Sequence, residues 1–243
     1  MIERKTFRAL AVLGLCLFAA GAAAQTTEEV RQKFDQGEFL EAADLGEAVG
    51  TSESLALAAG ALGVYGHYVA DKSARLPVLE RGVELARRAV EADTTNFEAY
   101  HQSAHVVGRY AENIGKMKAV REGVAADIRD FLEAAIRLNP DYADAHVALG
   151  GWHAEVARNR IARWMYGGGK EEALYHLSRA LELAPDEKVV LYEYGVRIQQ
   201  LDSDNGQARA RELLTRAKEI PAKNAYEEFL HQDVLTALAA LDK

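Results

Sequence analysis

The sequence contains one cysteine and four prolines among its 243 residues. A single cysteine excludes a disulfide framework and any zinc or iron–sulfur site that is built from several cysteines. So few prolines, together with 19 glycines, exclude collagen-like, mucin-like and loop-dominated chains. Basic residues are also in deficit, with 29 Lys and Arg against 37 Asp and Glu. The net charge of −8 therefore argues against a general nucleic-acid binder or a protein held on anionic lipid.

The N-terminal segment has the order of parts of a secretory signal peptide. Arg4, Lys5 and Arg8 precede an apolar stretch over residues 9–20, and small residues follow it up to Ala24. The apolar stretch is too short to cross a bilayer core of about 30 Å as a helix, and no later segment is long and uncharged enough to do so. We therefore expect cleavage after Ala24, no membrane span in the mature chain, and a periplasmic or secreted location.

The remainder of the chain has the periodicity of helices. From Glu28 onward, apolar residues recur at i, i+3, i+4 and i+7 with charged residues between them, and strand-like alternation is missing. This pattern predicts an all-α fold.

The helical part also repeats. Leu149 and Gly150 fit the first helix of a tetratricopeptide repeat, and the second-helix signature follows at Ala173, Leu177, Ala180 and Pro185. In this signature the small residues let two helices approach closely and the proline ends the second helix. The sequence therefore predicts a tetratricopeptide-like, right-handed helical solenoid.

Spacings between prolines show that some repeats carry extra residues. Pro140 and Pro185 are 45 residues apart and Pro185 and Pro221 are 36 apart, against a usual period of about 34. The surplus falls between the two helices of a repeat, and similar surpluses occur in two earlier repeats. We expect about five degenerate repeats with extended helical hairpins and a C-terminal capping helix, all in one domain over residues 25–243.

Two motifs indicate a more specific resemblance than that to tetratricopeptide repeats in general. Gly151 and Trp152 follow the Leu-Gly pair, and Tyr166 and Gly167 lie in the insertion. With these motifs, residues 75–235 resemble the regulator of microtubule dynamics proteins and their secreted bacterial relatives. The resemblance implies a tetratricopeptide-like fold; the predicted signal peptide is a departure from the eukaryotic members.

The insertion of the 45-residue repeat concentrates basic and aromatic residues. Arg160 and Arg163 stand beside Trp164 and Tyr166, with Lys116, Lys118 and Arg121 expected in the neighbouring hairpin tip. Guanidinium groups and aromatic faces together suit an acidic peptide or a small carboxylate. The alternative is a solvated helical face with local ion pairs.

Two further residues complete the candidate binding set. Trp152 and His153 precede the insertion, where Trp152 either fills the core or lines a groove. The predicted ligand-binding or partner-binding residues are Trp152, His153, Arg160, Arg163, Trp164 and Tyr166.

Catalytic and metal-binding patterns are weak. His101 and His105 are four residues apart on one predicted helix, but no glutamate in catalytic position and no third ligand accompany them. We therefore predict no metal, no cofactor and no enzymatic activity.

These observations favour an exported, non-catalytic tetratricopeptide scaffold that binds a protein or peptide partner, of which an acidic one would suit the insertion. Two alternatives stay open. One is a small-molecule binding protein of carboxylate type that works beside a transporter, and the less favoured one is a metal-dependent hydrolase. Nucleic acid is excluded as a partner, and the sequence leaves the oligomeric state open.

Overall fold

A computed structural model describes residues 26–242, so the predicted signal peptide lies outside the described residues. This part contains no β-strand. Its α-helices are α1 (26–35), α2 (Phe39–Val49), α3 (Ser52–Val64), α4 (Lys72–Ala92), α5 (Phe97–Ile114), α6 (Lys116–Arg121), α7 (Val124–Leu138), α8 (Ala143–Arg158), α9 (Arg160–Tyr166), α10 (Lys170–Leu183), α11 (Lys188–Leu201), α12 (Gly206–Glu219) and α13 (Ala225–Leu241), and a π-helical turn (Tyr65–Val69) follows α3. The all-α prediction is confirmed.

The long helices form antiparallel pairs that stack along the chain. The pairs are α1 with α2, α3 with α4, α5 with α7, α8 with α10, and α11 with α12, and α13 follows the last of them. First helices of successive pairs also contact each other, from α3 to α5, α8, α11 and finally α13. This stacking is that of a tetratricopeptide solenoid, in which the first helices line the concave face.

Small residues bring the two helices of a pair together. A Cβ on Gly150 of α8 would lie 2.7 Å from Leu177 Cγ and 3.0 Å from the Leu177 backbone nitrogen on α10. Leu177 and Ala180 are fully buried there. In the pair α3–α4 the close contact uses Gly82 against Ala59 and Leu62. Gly63, which follows Leu62 as Gly150 follows Leu149, faces His105 of the next repeat instead.

The extra residues form separate short helices at the ends of two hairpins. They extend the hairpins, but they do not simply lengthen both neighbouring helices. In one hairpin Asn159 ends α8, and its side chain accepts hydrogen bonds from Ile161 N and Ala162 N, at 2.9 and 3.2 Å, so that α9 begins in a new direction. Gly167, Gly168 and Gly169 then have positive φ angles, which favour glycine, and connect α9 to α10.

The second short helix, α6, has a glycine at each end. It lies between Gly115 and Gly123, which also have positive φ angles. Side chains near both tips link the third and fourth pairs: the Trp152 indole donates to Ala125 O at 2.9 Å, and Arg129 donates to Tyr166 O at 3.3 Å. The tips of these two pairs are therefore carried at the same edge of the solenoid.

Candidate functional site

The concave face is closed by the last helix. The ring of Phe229 on α13 stacks on Tyr68 with centroids 4.9 Å apart, and the Tyr68 hydroxyl donates to Asp233 Oδ2 at 2.7 Å. At the start of α13, Asn224 donates to Asp35 Oδ1 at 3.2 Å. An apolar cluster surrounds these contacts and joins α13 to the first three helices, with Val30, Phe39, Ala42, Ala61 and Val64 at its centre. We call this set of contacts the closure.

Charged and aromatic side chains lie on the concave face beneath α13. Arg109 of α5 is half-buried and contacts both carboxylate oxygens of Glu112 at 3.3 Å. Arg197 of α11 lies against Gly151 of α8 and pairs with Glu193, and its Nε atom is buried without a hydrogen-bond partner. Burial, followed by the nearby acid groups, raises the pKa of Tyr192 to about 12. We call this region the concave channel.

The two histidines considered as metal ligands in the sequence, for which no metal site is predicted, lie in the same region and make other contacts. His101 Nδ1 lies 3.2 Å from the Tyr142 hydroxyl, and the His105 ring packs against Gly63. Burial lowers the pKa of both imidazoles, that of His105 well below its usual range. Within residues 26–242 no group of three or more His, Cys, Asp or Glu side chains is arranged to hold a metal ion.

The tip helix α9 carries its apolar residues toward solvent. Ile161, Trp164 and Met165 are spaced i, i+3, i+4, which places them on one face of the helix. The side chains of Trp164 and Ile161 are 86% and 69% exposed. Arg160 and Arg163 lie along one side of this face, are exposed, and pair with no acidic side chain in the described part of the chain. An apolar stripe of this kind is normally covered in a folded monomer.

The tip helix α6 has the same property. Met117 and Val120 lie three residues apart and are 87% and 60% exposed. Lys118 is partly held by the molecule itself, because its Nζ atom lies 3.2 Å from the Tyr110 hydroxyl and 3.8 Å from Glu122. We define the tip surface as the exposed apolar and basic side chains of both short helices, namely Met117, Val120, Arg121, Arg160, Ile161, Arg163, Trp164 and Met165.

The six predicted binding residues divide between two environments. Arg160, Arg163 and Trp164 belong to the tip surface. Trp152, His153 and Tyr166 pack together beneath it: the Trp152 ring lies 5.0 Å from His153 and 5.9 Å from Tyr166, centroid to centroid. Trp152 is half-buried and packs against the apolar cluster of Ala104, Leu132 and Leu149. The second group therefore forms the base on which α9 rests.

Sequence reasoning missed the apolar part of the tip surface. The i, i+3 spacing of Met117 and Val120, and of Ile161 and Trp164, is visible in the sequence, but on an insertion such spacing gives no indication of whether the stripe is covered. The structure shows that the stripe is not covered.

Two open clefts, of about 320 Å³ and about 560 Å³, lie between helices elsewhere, and none of the six predicted residues lines either of them.

Comparisons with known proteins agree with this architecture. The sequence profile of the family described as Regulator of microtubule dynamics protein 1-3 matches residues 24–242. No curated protein sequence matches the chain.

Among solved structures, the chain is similar to TTC0263, a thermophilic tetratricopeptide protein of Thermus thermophilus. The sequences are 16% identical, the match covers 89% of this chain and 99% of the other, and the TM-score is 0.62. MamA is 17% identical over 83% of this chain and 91% of its own, with a TM-score of 0.44. The likeness to TTC0263 shows the fold.

No helix within residues 26–242 is both long and apolar enough to span a membrane.

Proposed function

The chain belongs to the regulator of microtubule dynamics protein 1-3 family, and from this premise we propose that it is an exported, non-catalytic scaffold that binds a protein or peptide partner. The tip surface is the docking site in this proposal. Export follows from the signal peptide predicted over residues 1–24.

One observation carries the proposal: the tip surface combines an uncovered apolar stripe with two unpaired arginines. Elsewhere the protein pairs many of its arginines, as Arg81 and Arg88 pair with Glu47 at 2.7 and 2.6 Å. Exposed tryptophan and arginine are the side chains that most often dominate the binding energy of protein interfaces. The short helices of the tip surface leave side chains of these types exposed, as expected for a surface that a partner covers.

The closure supports the same choice of surface. An open tetratricopeptide solenoid offers its concave face to an extended peptide. Here α13 covers that face and is held against the first three helices by the closure. A protein partner therefore meets the tips without displacing any part of the chain.

The shape and charge of the tip surface define the partner. Because Trp164 and Ile161 project from a convex tip, the partner supplies an apolar groove into which α9 fits as a short amphipathic helix. Because Arg160 and Arg163 lie along one side of the stripe, acidic side chains edge that side of the groove.

The test compares two charge reversals of equal size. The mature protein is immobilised, proteins retained from periplasmic extract are identified, and the affinity of the principal one is measured at low and physiological salt. Arg160→Glu with Arg163→Glu should weaken binding by about tenfold or more, with little change in melting temperature. Arg209→Glu with Lys218→Glu on α12 is the control and should bind like wild type. Equal binding by both double variants at low salt would exclude the tip surface.

The concave channel favours a second candidate function, the binding of a small carboxylate. Arg109 and Arg197 both lie on the concave face beneath α13, and the Arg197 Nε atom has no partner. A carboxylate ligand would accept hydrogen bonds from such guanidinium groups. Native mass spectrometry of protein purified without denaturation tests this candidate. A co-purified mass that is lost in Arg109→Gln and kept in Arg160→Glu/Arg163→Glu would support it, and protein of ligand-free mass would count against it.

A further inference from the structure

We propose that His146, His153 and His176 form a proton-sensitive contact that holds the base of tip helix α9 at neutral pH and releases it in acid. We call these three residues the histidine seam. The release is a property of the chain alone; its consequence for partner binding rests on the function proposed above.

The first part of the seam is a hydrogen bond between two imidazoles. His146 Nε2 lies 3.0 Å from the Pro140 carbonyl oxygen, which can only accept, so Nε2 carries a proton. In the neutral ring His146 Nδ1 is then an acceptor, and it lies 2.9 Å from His176 Nδ1, which must donate. While only one of the two rings is protonated, that ring can donate to the neutral one; once both rings are protonated, two donors face each other across this contact. The contact therefore requires at least one neutral ring.

The second part of the seam joins these residues to the tip. The His153 ring is parallel to that of His176, with centroids 5.8 Å apart and planes 4° apart. Its Nδ1 atom is buried without a hydrogen-bond partner, directly under Gly168, where an added Cβ would lie 2.4 Å away. A protonated Nδ1 needs an acceptor or water at that position. Either one requires the segment that follows α9 to move.

The surrounding charges do not supply a strong counter-ion to the seam. His153 faces Glu172 of α10 and Glu133 and Arg129 of α7, where the two signs oppose each other. His176 faces Glu172 and the two other histidines. His146 faces Arg179 of α10 and Asp141. Arg129 is itself engaged by Asp130 at 2.9 Å and by Glu133 at 3.6 Å.

The direction of the effect follows from the geometry and from the shifted pKa values. Burial, and then the neighbouring histidines His146 and His153, lower the pKa of His176 to about 4. Burial also lowers the pKa of His146 and of His153. Histidines released to solvent titrate near 6.5, so the seam is fully stable above that pH and loses stability as the pH falls from about 6.5 toward 4. Within this window, one titrating histidine multiplies the open population by up to about ten for each pH unit.

The chain contains its own reporter of the seam. Trp152 lies edge-on to the His153 ring, and the only other tryptophan is the exposed Trp164. In the variant Trp164→Phe, the emission of Trp152 should change in a single step between pH 6.5 and 4. Hydrogen exchange of residues 159–169, corrected for its intrinsic pH dependence, should accelerate about tenfold per pH unit in the wild-type protein.

Matched variants decide whether the seam is the cause. His176→Asn keeps a donor at the Nδ1 position and removes the ring whose pKa is lowered to about 4, so it should weaken the emission step and the acceleration of exchange, to which His146 and His153 still contribute. His231→Asn on α13 replaces a histidine outside the seam and should leave both unchanged. An acid response in both His176→Asn and His153→Gln that is identical to that of wild type would overturn the proposal. So would exchange that accelerates equally in α11, because this would indicate global unfolding.

Partner binding is measured separately, with Trp164 in place. If the seam controls the tip surface, the partner dissociates from wild type in the same pH window and is retained to lower pH by His176→Asn. If the conformational step occurs but no partner binds at any pH, the proposed function fails while the seam stands. If binding occurs and residues 159–169 show no acid response, the seam proposal fails alone.

Discussion

Helices α13 and α9 both carry aromatic side chains on an apolar stripe, but only one of the two stripes is covered. On α13, Tyr226 and Phe229 fit against the first repeats, where Phe229 stacks on Tyr68 and packs near Phe39. On α9, Trp164 projects from the described chain, and its indole stays 86% exposed. The chain thus covers one stripe by closing its solenoid and leaves the other open.

The difference separates stability from recognition. A stripe that the chain covers contributes apolar burial to folding, at roughly 25 cal/mol for each Å² removed from water. An uncovered stripe contributes almost nothing until another molecule covers it. We therefore expect substitutions at the closure to lower the free energy of unfolding and substitutions at the tip surface to act on binding.

The largest effect is expected from opening the closure. Phe229→Ala removes the ring that stacks on Tyr68 and leaves a gap between α13 and the first repeats. The free energy of unfolding should fall by about 3 kcal/mol in chemical denaturation. Tyr175→Ala, which truncates an exposed aromatic on α10, is the control and should change it little. An unaltered denaturation midpoint in Phe229→Ala would mean that the closure does not stabilise the fold.

A second substitution tests the packing inside one repeat. Gly150→Leu places a side chain where Leu177 already lies within 3 Å of an added Cβ. We expect overpacking to cost about 2 kcal/mol, measured as a lower melting temperature.

Gly108→Leu is the matched control for this position, because an added Cβ there meets only Ile128 Cδ1, at 4.0 Å. It should be tolerated, apart from small local adjustments. A Gly150→Leu protein as stable as wild type would contradict the register that pairs α8 with α10.

Much of the repeat architecture is predictable from the sequence because it is local. The spacing from Leu149 and Gly150 to Leu177 and Ala180 predicts which small residues bring α8 and α10 together, and the structure confirms the fold that follows from it. Glycine is ambiguous, however, since Gly63 and Gly82 both suit a close contact and only the packing of three helices distinguishes them. A periodic pattern identifies the helix pair and leaves its register open.

The closure and the tips could not be predicted in the same way. Tyr68 and Asp233 are 165 positions apart, and no repeat relates them, so their hydrogen bond depends on the accumulated curvature of the stacked pairs. At the tip, the side chain of Asn159 caps a new helix, which a count of surplus residues does not reveal. The basic character of the insertion, which includes Arg160 and Arg163, could be predicted because it depends only on which residues are present. It does not depend on the direction in which α9 runs.

A conservative substitution at Tyr68 separates two contributions to the closure, the ring stacking and the hydrogen bond. Tyr68→Phe keeps the ring that stacks on Phe229 and removes the hydroxyl that donates to Asp233. One hydrogen bond to a carboxylate should be lost, which lowers the free energy of unfolding by about 1.5 kcal/mol. Tyr175→Phe serves as the control. If Tyr68→Phe were as destabilising as Phe229→Ala, the polar contact and not the apolar stripe would hold α13.

The smallest effect on stability is expected at the tip, from Trp164→Ala. The indole is 86% exposed, so its removal uncovers little surface and creates no cavity. The free energy of unfolding should change by less than about 0.5 kcal/mol, although truncation of a central interface tryptophan commonly costs about 2 kcal/mol or more in binding. Parallel denaturation of Trp164→Ala and Phe229→Ala makes the contrast direct. A loss of stability in Trp164→Ala that approaches that of Phe229→Ala would show that α9 is packed against the repeats in solution, and the tip would then be a structural element rather than an open surface.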